Sequence, residues 1–285
     1  MKPAFETIST SGSNSFLVRK FQEKVFKAPY HFHPEYELAL ITSGTGKRYV
    51  GTHMGEYVAG DLVLLGSNVP HCWKTENAAN EISGSVVIHF TADFLGPDFF
   101  KKPEMKNIIQ LLNNSNYGIQ FTDDVSAFKN KILLLQKEKN GFKKMIMLLE
   151  LLYELSVCKN YSLLNKQNLF AALPSTEKER MNAVTAYIVE NFRDKISLNK
   201  AASEANMTPQ AFCKYFKKIS RKTFIEAVTD YRVDFAVQEL VHTDKPVTQI
   251  GFDSGFNDIS NFYKTFKHRM KLSPLAYRNM FVKKL

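Results

Sequence analysis

The chain is poor in cysteine, in tryptophan and in long apolar runs, and each shortage narrows what it can be. Cys72, Cys158 and Cys213 are all the cysteines of a 285-residue chain. Three scattered thiols, an odd number, do not make a disulfide framework, and the expected compartment is a reducing cytoplasm. No stretch of about 18 uncharged apolar residues occurs, so no membrane span is expected. The opening MKPAFETISTSGSNSF has no apolar core after its lysine, unlike a secretory leader. Neither a glycine-rich phosphate loop nor a G-x-S-x-G elbow is found, which argues against the common nucleotide-binding and hydrolase chemistries.

What the chain has is length, positive charge and two contrasting textures. Its 285 residues exceed the usual size of one domain, so two cores are expected. The net charge is +10, and it is unevenly held: 19 Lys and Arg face 12 Asp and Glu from residue 171 onward, against 19 and 16 before it. A basic C-terminal part points to a nucleic acid or another anionic partner. Up to about residue 95 the chain reads as short strands, because Tyr36 to Thr42, Asp61 to Leu65 and Gly84 to Phe90 are bounded by turn residues. From Phe121 helical periodicity takes over, with helices expected at Val125 to Lys137 and Phe142 to Cys158. The second is apolar around most of its circumference. Two readings of it stay open, a subunit interface and a cover for the sheet. Residues 159 to 174 read as a linker ending at Pro174, after which Thr176 and Glu179 form a capping box.

The C-terminal half contains a repeat. FCKYFK at Phe212 to Lys217 recurs as FYKTFK at Phe262 to Lys267. Thr208 with Pro209, and Asp258, stand as N-caps of the two copies. Each copy follows another short helix, so each repeat reads as helix, turn, helix. Phe212, Tyr215, Phe216 and Ile219 share one face, with Gln210, Lys214 and Lys217 opposite. In the second copy Phe262, Phe266 and Arg269 align with the core stripe, leaving Ser260, Lys264 and Lys267 outward and Asn261 and Tyr263 on the flanks. Amides, hydroxyls and lysines are what a major-groove helix needs, although a solvated surface has the same composition. A long helix from Thr223 to His242 joins the copies.

The segments SLNKAASEANMTPQAFCKYFKK, PVTQIGFDSGFNDISNFYKTFK and LSPLAYR together resemble the double helix-turn-helix domain of AraC/XylS transcriptional regulators, over about Thr176 to Arg278. The resemblance implies base-facing roles for Gln210, Cys213 and Lys214 in the first recognition helix, and for Ile259, Ser260, Asn261, Tyr263 and Lys264 in the second. Lys217 and Lys267 complete the expected DNA-binding set. The chain departs from the family where glycine often follows each recognition helix, having Ser220 and Arg221 in one place and Lys271 in the other.

In the N-terminal half, a strand through HFHPEYEL turns His31, His33 and Glu37 to one side. A half-buried strand with an ordinary polar face alternates in the same way. Further on, GDLVLLGSNVPHCW returns His71 beside the only tryptophan, Trp73. The pattern H-x-H-x3-E-x6-G from His31 to Gly44, with a second fragment from Gly60 to His71, resembles a cupin barrel. That second fragment has Gly66 and Asn68 where the family has proline and glycine. His31, His33, Glu37 and His71 are then candidate ligands of Zn, Ni, Mn or Fe. They are equally candidates, with Trp73, for binding a small effector without metal. His53, His89, His242 and His268 are given no role.

The expected fold is α+β: a cupin-like β-barrel with a helical dimerisation segment over residues 1–165, and an all-α double helix-turn-helix domain over 172–285. The resemblance implies a cytoplasmic, non-enzymatic regulator, an activator as most of its family are. Its implied partners are double-stranded DNA, a small-molecule effector, a second copy bound through 142–158, and RNA polymerase, with no membrane. The rival reading is a metal-dependent cupin oxygenase or isomerase fused to a DNA-binding module.

Overall fold

The computed structural model describes residues 4–5, 8, 15–75, 82–122, 125–165 and 175–282. The chain forms two compact units, with the main boundary between Ala172 and Leu173.

The first unit is built on β1 (Ala4–Phe5), β2 (Phe16–Glu23), β3 (His31–Phe32), β4 (Tyr36–Ser43), β5 (Gly46–Val50), β6 (His53–Tyr57), β7 (Leu62–Leu65), β8 (His71–Thr75), β9 (Ser83–Phe90), β10 (Ile119–Phe121) and β11 (Tyr161–Leu163). They make a five-stranded sheet in the order β1-β3-β8-β5-β6 and a six-stranded sheet in the order β11-β10-β7-β4-β9-β2. Among the described residues only β1 with β3 is parallel. Strand alternation divides the six-stranded sheet cleanly. Leu38 and Leu40 of β4, with Val86, Ile88 and Phe90 of β9, join a large apolar core. The odd-numbered residues Glu37, Ala39, Ile41, Val87 and His89 line a cavity on the other face, as a period of two requires.

Three helices complete that core: α1 (Lys106–Ser115), α2 (Ser126–Lys137) and α3 (Gly141–Val157). Asn140 caps α3 by accepting the Lys143 N–H. Leu148, Leu151, Leu152 and Leu155 of α3 are all buried in the core, each contributing about 2 kcal/mol by burial. Three elements arise where none is expected. β11 lies within the expected linker, and β10 with α1 fills the unassigned stretch before Phe121. Three-residue strands carry little periodicity of their own, and β10 is fixed by pairing with β7 and β11. Residues 166–174, the rest of the expected linker, lie outside the described residues.

The second unit is helical: α4 (Ser175–Asn191), α5 (Leu198–Glu204), α6 (Pro209–Ser220), α7 (Phe224–His242), α8 (Val247–Asp253), α9 (Ile259–Met270) and α10 (Pro274–Val282). α4 starts one residue ahead of Thr176, so that threonine lies inside the helix instead of capping it. Thr208 and Asp258 do cap α6 and α9, and Thr223 forms a capping box with Glu226 at α7. Phe212, Phe216 and Phe224 pack as one aromatic group, with ring centroids 5.5 to 5.8 Å apart. The second repeat has its own core of Ile250, Phe256, Phe262 and Phe266 against Val233, Ala236 and Leu240 of α7. Where glycine is the family's usual choice, Arg221 and Lys271 adopt left-handed backbone with φ of 60° and 62°, and each closes its helix by donating to the residue four back. The turn geometry is kept without the glycine.

Candidate functional site

Strand register assembles a buried polar cluster. His31 of β3 lies opposite His71 of β8, and Glu37 of β4 lies opposite His89 of β9. His33 completes it from the break between β3 and β4, since HFHPEYEL is not the single strand expected but two strands that belong to different sheets. On one carboxylate oxygen of Glu37 converge Nε2 of His89 at 2.9 Å, of His33 at 3.0 Å and of His71 at 3.3 Å. All these side chains are buried. One ligand atom from each of His31, His33, Glu37 and His71 lies within 4.8 Å of the others. The four residues singled out in the sequence therefore do meet, and His89, given no role there, joins them. Its signal was weak because the tie to Glu37 spans 52 residues.

Proton placement follows from the backbone. Nδ1 of His31 donates to the Pro29 carbonyl and Nδ1 of His71 to the Val69 carbonyl, both at 2.8 Å. A carbonyl only accepts, so each Nδ1 carries a hydrogen and each neutral ring has its lone pair on Nε2. Burial, then the charge of His71, pushes His31 down to about 3. Burial by itself would raise the Glu37 pKa; the opposing charge of His71 and hydrogen bonds from His33, His71 and His89 hold it well below the usual carboxylate range. In neutral form His71 thus brings a lone pair towards an ionised carboxylate. Only a second proton or a cation makes that approach favourable.

Beside the cluster lies a cavity of about 150 Å³, lined by Phe21, Phe26, His31, Glu37, Trp73 and His89 among others. Among the described residues, the indole N–H of Trp73 and Nδ1 of His89 are buried without a hydrogen-bond partner. Both belong to residues that line the cavity.

In the helical unit, the expected DNA-facing residues divide. Gln210, Cys213, Lys214 and Lys217 of α6, and Ser260, Asn261, Tyr263, Lys264 and Lys267 of α9, are exposed. Ile259 is the exception. It is half-buried and packs against the core of its own repeat, because as the first residue of α9 it faces Gly251 of α8, whose missing Cβ leaves it room. Arg269, aligned with the core stripe by periodicity, is exposed and donates to Asp230 of α7 at 2.9 Å. An ion pair across the helices, not burial, occupies that place.

Two family matches cover these sites, apart from His89. Residues 17–80 match the AraC-like ligand binding domain and residues 201–280 a helix-turn-helix domain. The chain is 24% identical over 258 residues to the HTH-type transcriptional regulator YdeC of Bacillus subtilis strain 168, covering 88% of this chain and 86% of that one. It is 30% identical over 111 residues to the transcriptional activator and DNA repair enzyme AdaA of the same organism, covering 38% and 53%. A structure of ToxT from Vibrio cholerae with an unsaturated fatty acid bound aligns at 16% identity and a TM-score of 0.35, over 94% of this chain and 96% of that one. The chain is a DNA-binding transcriptional regulator of the AraC type, with an AraC-like ligand-binding domain ahead of its helix-turn-helix domain.

Proposed function

We propose that a small-molecule effector bound in the cavity beside Glu37 controls how α6 and α9 meet DNA, and that the output is activation of transcription. The observation that supports it is the pair of unpartnered polar atoms in a largely apolar wall, Trp73 Nε1–H and His89 Nδ1. An unsatisfied buried group costs about 1 to 3 kcal/mol, which a ligand recovers by supplying an acceptor to the indole and a donor to the imidazole. His89 already uses Nε2–H towards Glu37, so its neutral Nδ1 accepts. His31, His33, Glu37, His71 and Trp73 are the effector-binding set, and occupancy acts by favouring the conformation that holds the ligand more tightly.

On the DNA side, Gln210, Cys213 and Lys214 of α6 and Ser260, Asn261, Tyr263 and Lys264 of α9 face base edges, while Lys217 and Lys267 meet phosphates. The 19 residues of α7 span about 28 Å at 1.5 Å each, close to the roughly 34 Å between successive major-groove faces. Lys214→Ala and Lys264→Ala in the full-length protein should each weaken binding about tenfold and lower the salt slope by about one. Unchanged affinity and slope would sink this assignment.

A second reading of the cluster is favoured by the lone pairs on His31 and His71. His31, His33, Glu37 and His71 fit a divalent ion such as Zn²⁺, Ni²⁺, Mn²⁺ or Fe²⁺, with Nδ1 of two ligands anchored on backbone carbonyls. Such an ion supplies Lewis-acid attraction for an oxygen of the effector. We read the site as a sensor and not as an oxygenase or isomerase, because it is joined to a DNA reader. About one equivalent of metal is expected in protein purified without chelator, lost in His31→Ala/His71→Ala. A metal-free wild type leaves the effector reading alone.

The regulator acts in the cytoplasm, as a homodimer that recruits RNA polymerase. Among the described residues no helix is long and apolar enough to cross a membrane. The dimer reading is supported by a stripe on α3, Phe142, Ile146, Tyr153 and Val157, that stays exposed while the leucines opposite are buried.

A further inference from the structure

α7 is one connection between the two helix-turn-helix units; the structure contains a second. The loop after α4 packs on the turn after α8. Arg193 donates from Nε to the Asp253 carbonyl at 2.9 Å, and its guanidinium lies 4.6 Å from the Phe235 ring centre. Arg232, in the middle of α7, donates from Nε to the Phe192 carbonyl at 2.6 Å and from Nη2 to the Asp194 carbonyl at 3.0 Å. Phe192 is buried against Tyr231 and Phe235 of the same helix. Gly255 then lies flush on this loop. A Cβ there would stand 2.5 Å from the Phe192 oxygen and 2.8 Å from the Arg193 Cα.

The repeat supplies an internal control for that glycine. The two turns close alike, Met207 N–H bonding to Ala202 and Phe256 N–H to Gly251. The residue before each donor is left-handed: Asn206 with φ 54° in the first turn, Gly255 with φ 89° in the second. Asn206 is exposed. Left-handed backbone is therefore met by asparagine where the side chain is exposed. Glycine stands where another backbone leaves no space for a side chain.

We infer that Arg193, Arg232 and Gly255 form a clasp that fixes the distance and rotation between the two reading helices, and so sets the spacing of the two half-sites they accept on DNA. The inference rests on α6 and α9 both reading DNA. A single helix bends and twists along its length, and a second tie closes the chain into a ring that resists both. One added base pair moves a half-site by about 3.4 Å and turns it by about 35°, from a repeat of 10 to 10.5 base pairs in roughly 34 to 36 Å. A locked pair of readers cannot follow that change; an unlocked pair follows it in part. These three are positioning residues, since none belongs to the DNA-facing set.

The test uses the full-length protein and a duplex that it selects from a random pool, with both half-sites mapped by footprinting. Wild type should lose at least about tenfold in affinity when one base pair is inserted or deleted between half-sites, the size of one mismatch penalty. Arg193→Ala, a change to an exposed side chain, and Gly255→Asn, which keeps the left-handed preference, should shrink that loss to about threefold or less. Both should bind a duplex with a single half-site as wild type does, with unchanged circular dichroism. A full spacing penalty in folded Arg193→Ala overturns the clasp, as does a parallel loss of single-site affinity. If Lys264→Ala leaves the affinity for the selected duplex unchanged, the two-reader premise fails instead.

Discussion

Arg221 and Lys271 show how much a single backbone position carries. Left-handed conformation costs a side chain about 1 kcal/mol or more, and both residues hold it at the ends of the recognition helices. Arg221→Gly and Lys271→Gly should each raise stability by about 0.5 to 1 kcal/mol, measured by urea unfolding, and add in the double variant because they sit in separate repeats. The sequence flagged these positions only as departures from a pattern; whether the turn had changed was not legible, since arginine and lysine are compatible with both outcomes. His89 is the opposite case. Nothing near it in sequence distinguishes it from His53, and only the register of β4 against β9 places it on Glu37.

Among the elements, α3 has two different faces. Its apolar circumference left two readings open, and one is now a fact of the fold: Leu148, Leu151, Leu152 and Leu155 are in the core. Leu151→Ala should cost about 2 to 5 kcal/mol, seen as a lower urea midpoint. The opposite stripe remains exposed, Phe142 by 69% and Tyr153 by 53%. Phe142→Glu/Tyr153→Glu should leave stability nearly unchanged and turn a dimer into a monomer in sedimentation velocity; a variant still dimeric would remove α3 from the interface. Periodicity revealed that the helix was apolar all round, but not which side the sheet would take.

For the molecule as a whole, the two units should respond to pH in opposite senses. In the β unit burial, then the charge of Arg48, lowers His53 from 6.5 to about 4. Its unfolded form binds a proton that its folded form refuses, so stability is present above pH 6.5 and is lost as pH falls towards 4. In the helical unit burial, then the charge of Asp230, raises Asp234 to about 6 from 3.8. There the folded form holds the proton, so stability is present below pH 3.8 and is lost as pH rises through 6. Each effect amounts to about 3 kcal/mol at full extent, at 1.36 kcal/mol per unit. Calorimetry on His53→Gln and Asp234→Asn should show it: the first variant flattens the acid loss between pH 6.5 and 4, and the second is more stable than wild type at pH 7. An Asp234→Asn protein no more stable at pH 7 would show that the carboxylate is solvated there.

Sequence alone determined the local features: the two textures, the repeated helix-turn-helix with its caps, and the outward lysines of α6 and α9. These depend on periods of two and of 3.6 residues, which any chain carries in its own order. Tertiary structure decided what depends on residues far apart in the chain. It brought His89 to Glu37, set Ile259 against Gly251, exposed Arg269 to Asp230, and laid Gly255 against Phe192. Each of those contacts is fixed by strand register or helix packing, and neither is set by neighbours in sequence.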